Sequence, residues 1–231
     1  MHDGYVIVVK LGGSLAGSSH LADWTGALAN CGGSAVVVPG GGPFADAVRQ
    51  AQAKIRFSDA AAHHLALLAM EQFGWALASL NPNFCVADSA AAIQNAVRAG
   101  NVPIWSPVKM VLDCREIPSS WEVTSDSLAA WLAGQIGARQ VVLVKSIAPF
   151  GNPLSAVDLA ARGIVDKAFP RFLASSGAEA SIVAAEASGS AQKAISERLL
   201  PGTPIDLHDP VTKRLLEPLW PRSNSRVGDG H

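Results

Sequence analysis

Charge is scarce in this sequence. Lys, Arg, Asp and Glu together supply 16% of 231 residues and nearly cancel, to a formal net charge of −1. Without a basic excess there is no electrostatic footprint for nucleic acid or for an anionic membrane surface, so neither is expected as a partner. Cysteine is sparse too. Cys31, Cys85 and Cys114 are odd in number and far apart, which fits neither a disulfide framework nor a zinc knuckle. Long apolar runs are also missing: the apolar stretches are strand-sized or broken by polar residues, so no membrane span is expected. The N-terminus has no basic region leading into an apolar run, so no signal peptide is expected. A cytoplasmic enzyme is the simplest class that these absences leave.

What is present is apolar. Hydrophobic residues make up 49% of the chain. With so little charge for a soluble surface, part of that apolar area is expected to be covered in a homodimer or higher homo-oligomer. The length suits a single α/β domain over residues 1–220, and the polar stretch 221–231 reads as a frayed tail. Residues 5–9 form an unbroken, largely β-branched run ending at Lys10 and Leu11, and 35–38 form a second; both read as strands buried on two faces. Helical spacing follows each, over 21–31 and from Phe44. The longest helix is expected over 59–80, apolar on two sides. Strands are expected at 84–86, 102–105, 141–144, 180–184 and 203–206, and helices at 89–99, 125–136, 154–161 and 191–199. This alternation predicts a three-layer αβα sandwich with a mostly parallel central sheet.

Two glycine turns stand at strand ends. Lys10-Leu11-Gly12-Gly13-Ser14 closes the first strand, and Pro39-Gly40-Gly41-Gly42-Pro43 closes the second. Glycine lets backbone N–H groups approach a ligand without a Cβ in the way, and a helix opening there favours anions. Lys10 adds a full charge and Ser14 a hydroxyl donor. A lysine at the end of a buried strand is costly unless it meets an anion. The first loop is not a Walker A sequence, because its lysine precedes the glycines, and neither reads G-x-G-x-x-G, which disfavours a nicotinamide dinucleotide site. A plain tight turn accounts for either loop alone; two on successive strands favour phosphate binding.

Other residues have two readings each. Asp126, behind Thr124 and Ser125 at a helix start, is a first-turn carboxylate or a site residue. Asp46 and Arg49 are a surface i,i+3 pair, or Arg49 clamps a phosphate. Asp59 and His63 share a helix face at i,i+4, too few ligands for a metal, so they are structural or touch substrate. Asp46 or Asp59 is also a candidate for an acceptor amine.

The segments Val8-Val9-Lys10-Leu11-Gly12-Gly13-Ser14, Val37-Val38-Pro39-Gly40-Gly41-Gly42 and Thr124-Ser125-Asp126-Ser127-Leu128-Ala129-Ala130 together resemble the amino acid kinase superfamily. A narrower likeness rests on Pro43-Phe44-Ala45-Asp46-Ala47-Val48-Arg49, Asp59 with His63, residues 69–74, Lys145-Ser146 and Gly163-Ile164-Val165-Asp166. These look like the kinases acting on aminomethylfuran-methyl phosphate in methanofuran biosynthesis. The resemblance implies transfer of the ATP γ-phosphoryl group, with Mg²⁺, to a phosphate monoester. It implies that Lys10, Gly12, Gly13, Ser14 and Ser146 serve the ATP phosphates and that Asp126 orients Lys10. Gly40, Gly41, Gly42, Asp46, Arg49, Asp59 and His63 would then serve the acceptor. Many relatives carry a Thr-Asp pair where this chain has Lys145-Ser146, and the glycine-led lysine segment of acetylglutamate kinases is missing. Lys145, or failing it Lys193, is the candidate second cation. A carboxylate or nucleoside monophosphate acceptor, and a non-catalytic nucleotide or oxyanion binder, stay open beside this reading.

Overall fold

A computed structural model describes residues 5–146 and 154–207. Its strands are β1 (Ile7–Leu11), β2 (Ala35–Pro39), β3 (Phe84–Ala87), β4 (Val102–Trp105), β5 (Gln140–Lys145), β6 (Leu154–Ser155), β7 (Glu179–Ala184) and β8 (Thr203–Asp206). The helices are α1 (His20–Ala29), α2 (Gly42–Ile55), α3 (Asp59–Ala78), α4 (Ala90–Arg98), α5 (Val108–Val111), α6 (Ser125–Ile136), α7 (Ala156–Ala161), α8 (Phe169–Ser176) and α9 (Ser188–Ser196). One sheet of eight strands runs in the order β3-β4-β2-β1-β5-β7-β8-β6. Neighbours pair in parallel except β7 with β8. The expected three-layer architecture is the observed one.

Strand periodicity divides the core. Val8, Val36, Val38, Val141 and Leu143 pack with α4, α6, α7 and α8 on one face. Ile7, Val9, Leu11, Val37, Val142 and Val144 pack with α1 and α9 on the other. Both faces of β1 are fully buried, as its β-branched composition requires. Helix α3 contributes to both layers, Leu67 and Met70 to one and Phe73 and Leu77 to the other. Its outer side does not: Leu65, Leu68 and Trp75 remain exposed, as does Leu80 just beyond its end.

One sequence expectation needs correction, and two helices were not anticipated. Residues 154–161 do not form one helix. Leu154–Ser155 pair with β8 as a short strand, and Ser155 then caps α7 by accepting from the Asp158 N–H. Helix α8 falls in a stretch left unassigned by periodicity. Its early proline masked it, although Phe169, Phe172 and Leu173 sit at helical spacing and are all buried. The four-residue α5 is too short to leave a periodic trace. The tail 221–231 lies outside the described residues.

Candidate active site

Strands β2, β1 and β5 are consecutive in the sheet and parallel, so their carboxyl ends open side by side. The chain leaves β1 for β2 on one side and reaches β5 on the other, the switch point where open α/β sheets bind ligands. Parity then places two lysines. Lys10 follows Val8 and Lys145 follows Leu143 on the face covered by α6, and Lys10 is level with Leu143. Both therefore reach the first turn of α6.

Asp126 waits there. Its Oδ1 lies 2.9 Å from Lys10 Nζ and its Oδ2 2.7 Å from Lys145 Nζ. Lys10 and Asp126 are buried, with side chains 8% and 6% exposed, and Lys145 is partly buried at 14%. Burial pushes the Asp126 pKa up, but the charges of Lys10 and Lys145 more than reverse this and hold it below the ordinary carboxylate value. Burial lowers the Lys145 pKa, and the nearby Lys10 adds to that, against the opposing pull of Asp126. Two positive charges face one negative within the group, so an anion is favoured beside it.

The helix carrying Asp126 is capped from a distance. Thr124 occupies the N-cap position of α6 without a capping bond from its own side chain. The Asp166 carboxylate does this instead: it accepts from the N–H groups of Thr124 and Ser127, both at 3.0 Å, from Thr124 Oγ1 at 2.8 Å, and from Ser127 Oγ. Burial and then the neighbouring charge of Asp126 raise the Asp166 pKa, against its hydrogen bonds. Asp126 is thus relieved of capping and free to hold the lysines.

The two glycine turns interlock. A Cβ on Gly13 would lie 2.3 Å from the Gly42 nitrogen, and one on Gly40 would lie 2.5 Å from the Gly13 nitrogen. Gly42 also has φ +54°. The glycines are therefore needed for the loops to touch each other, a requirement that comes before any ligand. Gly12 is hemmed in by Val144 O, 3.3 Å from its would-be Cβ. The Gly40 N–H donates to Leu11 O at 2.8 Å, and the hydroxyls of Ser14 and Ser146 meet at 3.0 Å.

A cavity of about 370 Å³ opens over this floor. Lys10, Lys145, Gly12, Gly13, Ser14, Gly40, Gly41 and Gly42 line it, as do Asp46, Arg49 and His63. Arg49 pairs with Asp46 at 2.9 Å and stacks over Trp121, 4.6 Å from the ring centre. Trp121 Nε1–H donates to Gln52 Oε1 at 2.8 Å, and Gln52 Nε2–H donates to Asp59 Oδ1 at 2.9 Å. Asp59 is exposed, outside the cavity lining, and bonded to Gln52 rather than to His63. Lys193 is exposed on α9 and does not line the cavity either, so of the two candidate cations only Lys145 is brought to Asp126. Sequence reasoning gave no role to Trp121 or Asp166. A lone tryptophan in a polar loop was the available signal for Trp121. For Asp166 the signal was its place in Gly163-Ile164-Val165-Asp166, but its role was not legible, since capping across some forty residues depends on the fold.

The profile of the amino acid kinase family matches residues 6–150, more than half of the chain. The chain belongs to the amino acid kinase family. It is a phosphotransferase of that family. A relative in Methanocaldococcus jannaschii, [5-(aminomethyl)furan-3-yl]methyl phosphate kinase, is 27% identical over 147 residues, covering 60% of this chain and 68% of its own. Two solved kinases share the fold. The uridylate kinase of Archaeoglobus fulgidus superposes with a TM-score of 0.66 at 19% identity, over 87% of this chain and 100% of its own. An isopentenyl phosphate kinase does so with a TM-score of 0.58 at 18% identity, again over 87% and 100%. The family implies ATP as phosphoryl donor. Among the described residues no helix is long and apolar enough to cross a membrane.

Proposed function

We propose that this protein is an ATP-dependent kinase that moves the γ-phosphoryl group onto a phosphate-monoester acceptor and releases a diphosphate ester. The observation that carries this reading is the one carboxylate, Asp126, that holds Lys10 and Lys145 together at the floor of the glycine-walled cavity. Phosphoryl transfer asks a protein mainly for positioning and for charge neutralisation, and this group supplies both.

An oxygen of the acceptor's phosphate attacks the γ-phosphorus of ATP. The bond from that phosphorus to the β–γ bridging oxygen breaks, and its electron pair leaves with ADP. Lys10 stabilises charge on the transferred group, and Lys145 takes the leaving side. Backbone N–H groups at Gly12 and Gly13, with the Ser14 and Ser146 hydroxyls, bind the ATP phosphates. Gly40, Gly41, Gly42 and Arg49 bind the acceptor's phosphate, and Asp46 and His63 its body. A phosphate monoester is largely ionised at neutral pH, so no general base is required. Mg²⁺ accompanies ATP, and in this reading the phosphates and water carry it, with little direct protein ligation.

The relative's substrate, [5-(aminomethyl)furan-3-yl]methyl phosphate, is the first acceptor to test. Purified protein is incubated with ATP, Mg²⁺ and a panel of phosphorylated alcohols, nucleoside monophosphates and carboxylates, and ADP release is followed. Turnover with a phosphate monoester supports the proposal. Nucleotide binding without transfer to any member of the panel would leave a non-catalytic binder as the better account.

A further inference from the structure

Arg49 lines the cavity from α2, and its side chain is 51% exposed. Its ion pair with Asp46 is equally open to water, so that pair holds it only weakly. A long side chain with this freedom must be ordered when a ligand binds, and the ordering subtracts from affinity unless something has fixed it beforehand. Here something has. The guanidinium carbon lies 4.6 Å from the centre of the Trp121 ring, within cation–π range. Trp121 Nε1–H donates to Gln52 Oε1 at 2.8 Å. Gln52 Nε2–H donates to Asp59 Oδ1 at 2.9 Å and to Phe57 O at 3.4 Å. An indole N–H only donates and a carboxylate only accepts, so the Gln52 amide has one orientation in this chain. Gln52 stands one turn after Arg49 on α2, so both reach the same indole. The loop carrying Trp121 is pinned on its other side as well. Glu122 O accepts from the Ala168 N–H at 3.1 Å, and Asp166 holds Thr124.

We infer that Asp59, Gln52 and Trp121 are positioning residues that set the Arg49 guanidinium over the cavity before the acceptor arrives. This rests on the kinase reading above, in which Arg49 takes the acceptor's phosphate. The contact with Asp46 runs through Nη1, and a guanidinium carries five donors, so the rest of the fork is left to a phosphate. Trp121 offers no hydrogen bond of its own to a ligand, because its one donor is engaged by Gln52. It therefore acts through Arg49. Asp59, which lies outside the cavity, gains a role at its distance: it fixes the amide that fixes the ring. The arrangement also requires arginine at position 49. A lysine would keep the charge but has neither the planar face to stack on the indole nor the fork to grip a phosphate.

The test is a double-mutant cycle read by calorimetric titration of the full chain. The wild type is titrated with [5-(aminomethyl)furan-3-yl]methyl phosphate, isopentenyl phosphate and UMP, and the tightest binder is carried through the cycle, with ADP titrated in parallel. Arg49→Ala should weaken the phosphate about tenfold, and Trp121→Ala about fivefold. The double variant should bind no more weakly than Arg49→Ala alone, because the indole acts only through the guanidinium. Trp121→Phe, which keeps a ring face, should recover most of the loss. Gln52→Ala should cost less than Trp121→Ala and nothing further once Trp121 is gone. ADP affinity should stay within about twofold throughout. Losses from Arg49→Ala and Trp121→Ala that simply multiply, equal loss of phosphate and ADP affinity, or no binding of any of the three phosphates to the wild type would overturn the inference. Coupled losses without phosphoryl transfer to the bound phosphate would leave the positioning residues standing and remove the kinase reading; transfer with multiplying losses would do the reverse.

Discussion

Asp126 holds two ammonium groups with one carboxylate, and this makes it the residue whose loss costs most. Asp126→Asn leaves two buried lysines without their counter-charge. Breaking a buried pair in this way destabilises by about 3–5 kcal/mol, so urea denaturation should show a loss of that order together with loss of transfer. The pH dependence has a definite sign. The folded pKa of Asp126 is depressed, so its contribution to stability is present above the unfolded carboxylate pKa and is lost as pH falls through the folded value. The wild type should lose stability to acid over that range, and Asp126→Asn should lose less of it. Lys145 titrates below the ordinary lysine range, so the rate should decline on the alkaline side before an unperturbed lysine would deprotonate. Residual activity of Lys145→Arg should hold to higher pH, because guanidinium does not deprotonate there. An alkaline limb at the same pH in both proteins would show that Lys145 does not set it.

Elements place these residues, and two junctions matter most. Asp166 closes the N-terminus of α6 from a segment beyond β5, so Asp166→Ala should destabilise by about 1 kcal/mol, as loss of a helix cap does. It should also lower kcat through Asp126 while leaving nucleotide affinity nearly unchanged; full kcat would show that the cap is structural only. The glycine loops form the second junction. A methyl group at Gly13 or Gly40 meets backbone rather than a side chain that can yield, so Gly13→Ala and Gly40→Ala should each lower both Tm and activity. Gly26, inside α1 with nothing within 4 Å of its would-be Cβ, provides the contrast. Gly26→Ala should raise stability by about 0.5–1 kcal/mol with no change in rate. Much of this level was legible in the sequence. The β-branched runs located β1 and β2, and their glycines located the turns at the cavity. The interlocking of the turns was hidden, because a glycine required by another backbone reads the same as one required by a ligand.

At the scale of the whole molecule, parallel pairing brings β2, β1 and β5 together, although β5 lies about a hundred residues beyond β2. Local periodicity carries no information on that juxtaposition. The resemblance paired Asp126 with Lys10, but the junction of Lys145 with the same carboxylate emerges only from strand order and parity. The exposed side of α3 belongs to this scale as well. Leu65, Leu68 and Trp75 present an apolar stripe, and the low charge of the chain leads to the expectation that a second copy covers it. Analytical ultracentrifugation should then find a dimer or larger species, and Trp75→Glu should shift it toward monomer. A monomeric wild type would refute this arrangement.

The central claim is that the Lys10–Asp126–Lys145 group performs phosphoryl transfer to a phosphate monoester. Phosphorus NMR of a reaction containing ATP, Mg²⁺ and [5-(aminomethyl)furan-3-yl]methyl phosphate tests it most directly. The account predicts a diphosphate product and ADP with the wild type, and neither with Lys10→Ala under conditions where its circular dichroism shows it folded. No diphosphate from the wild type, or equal amounts from both proteins, would contradict it.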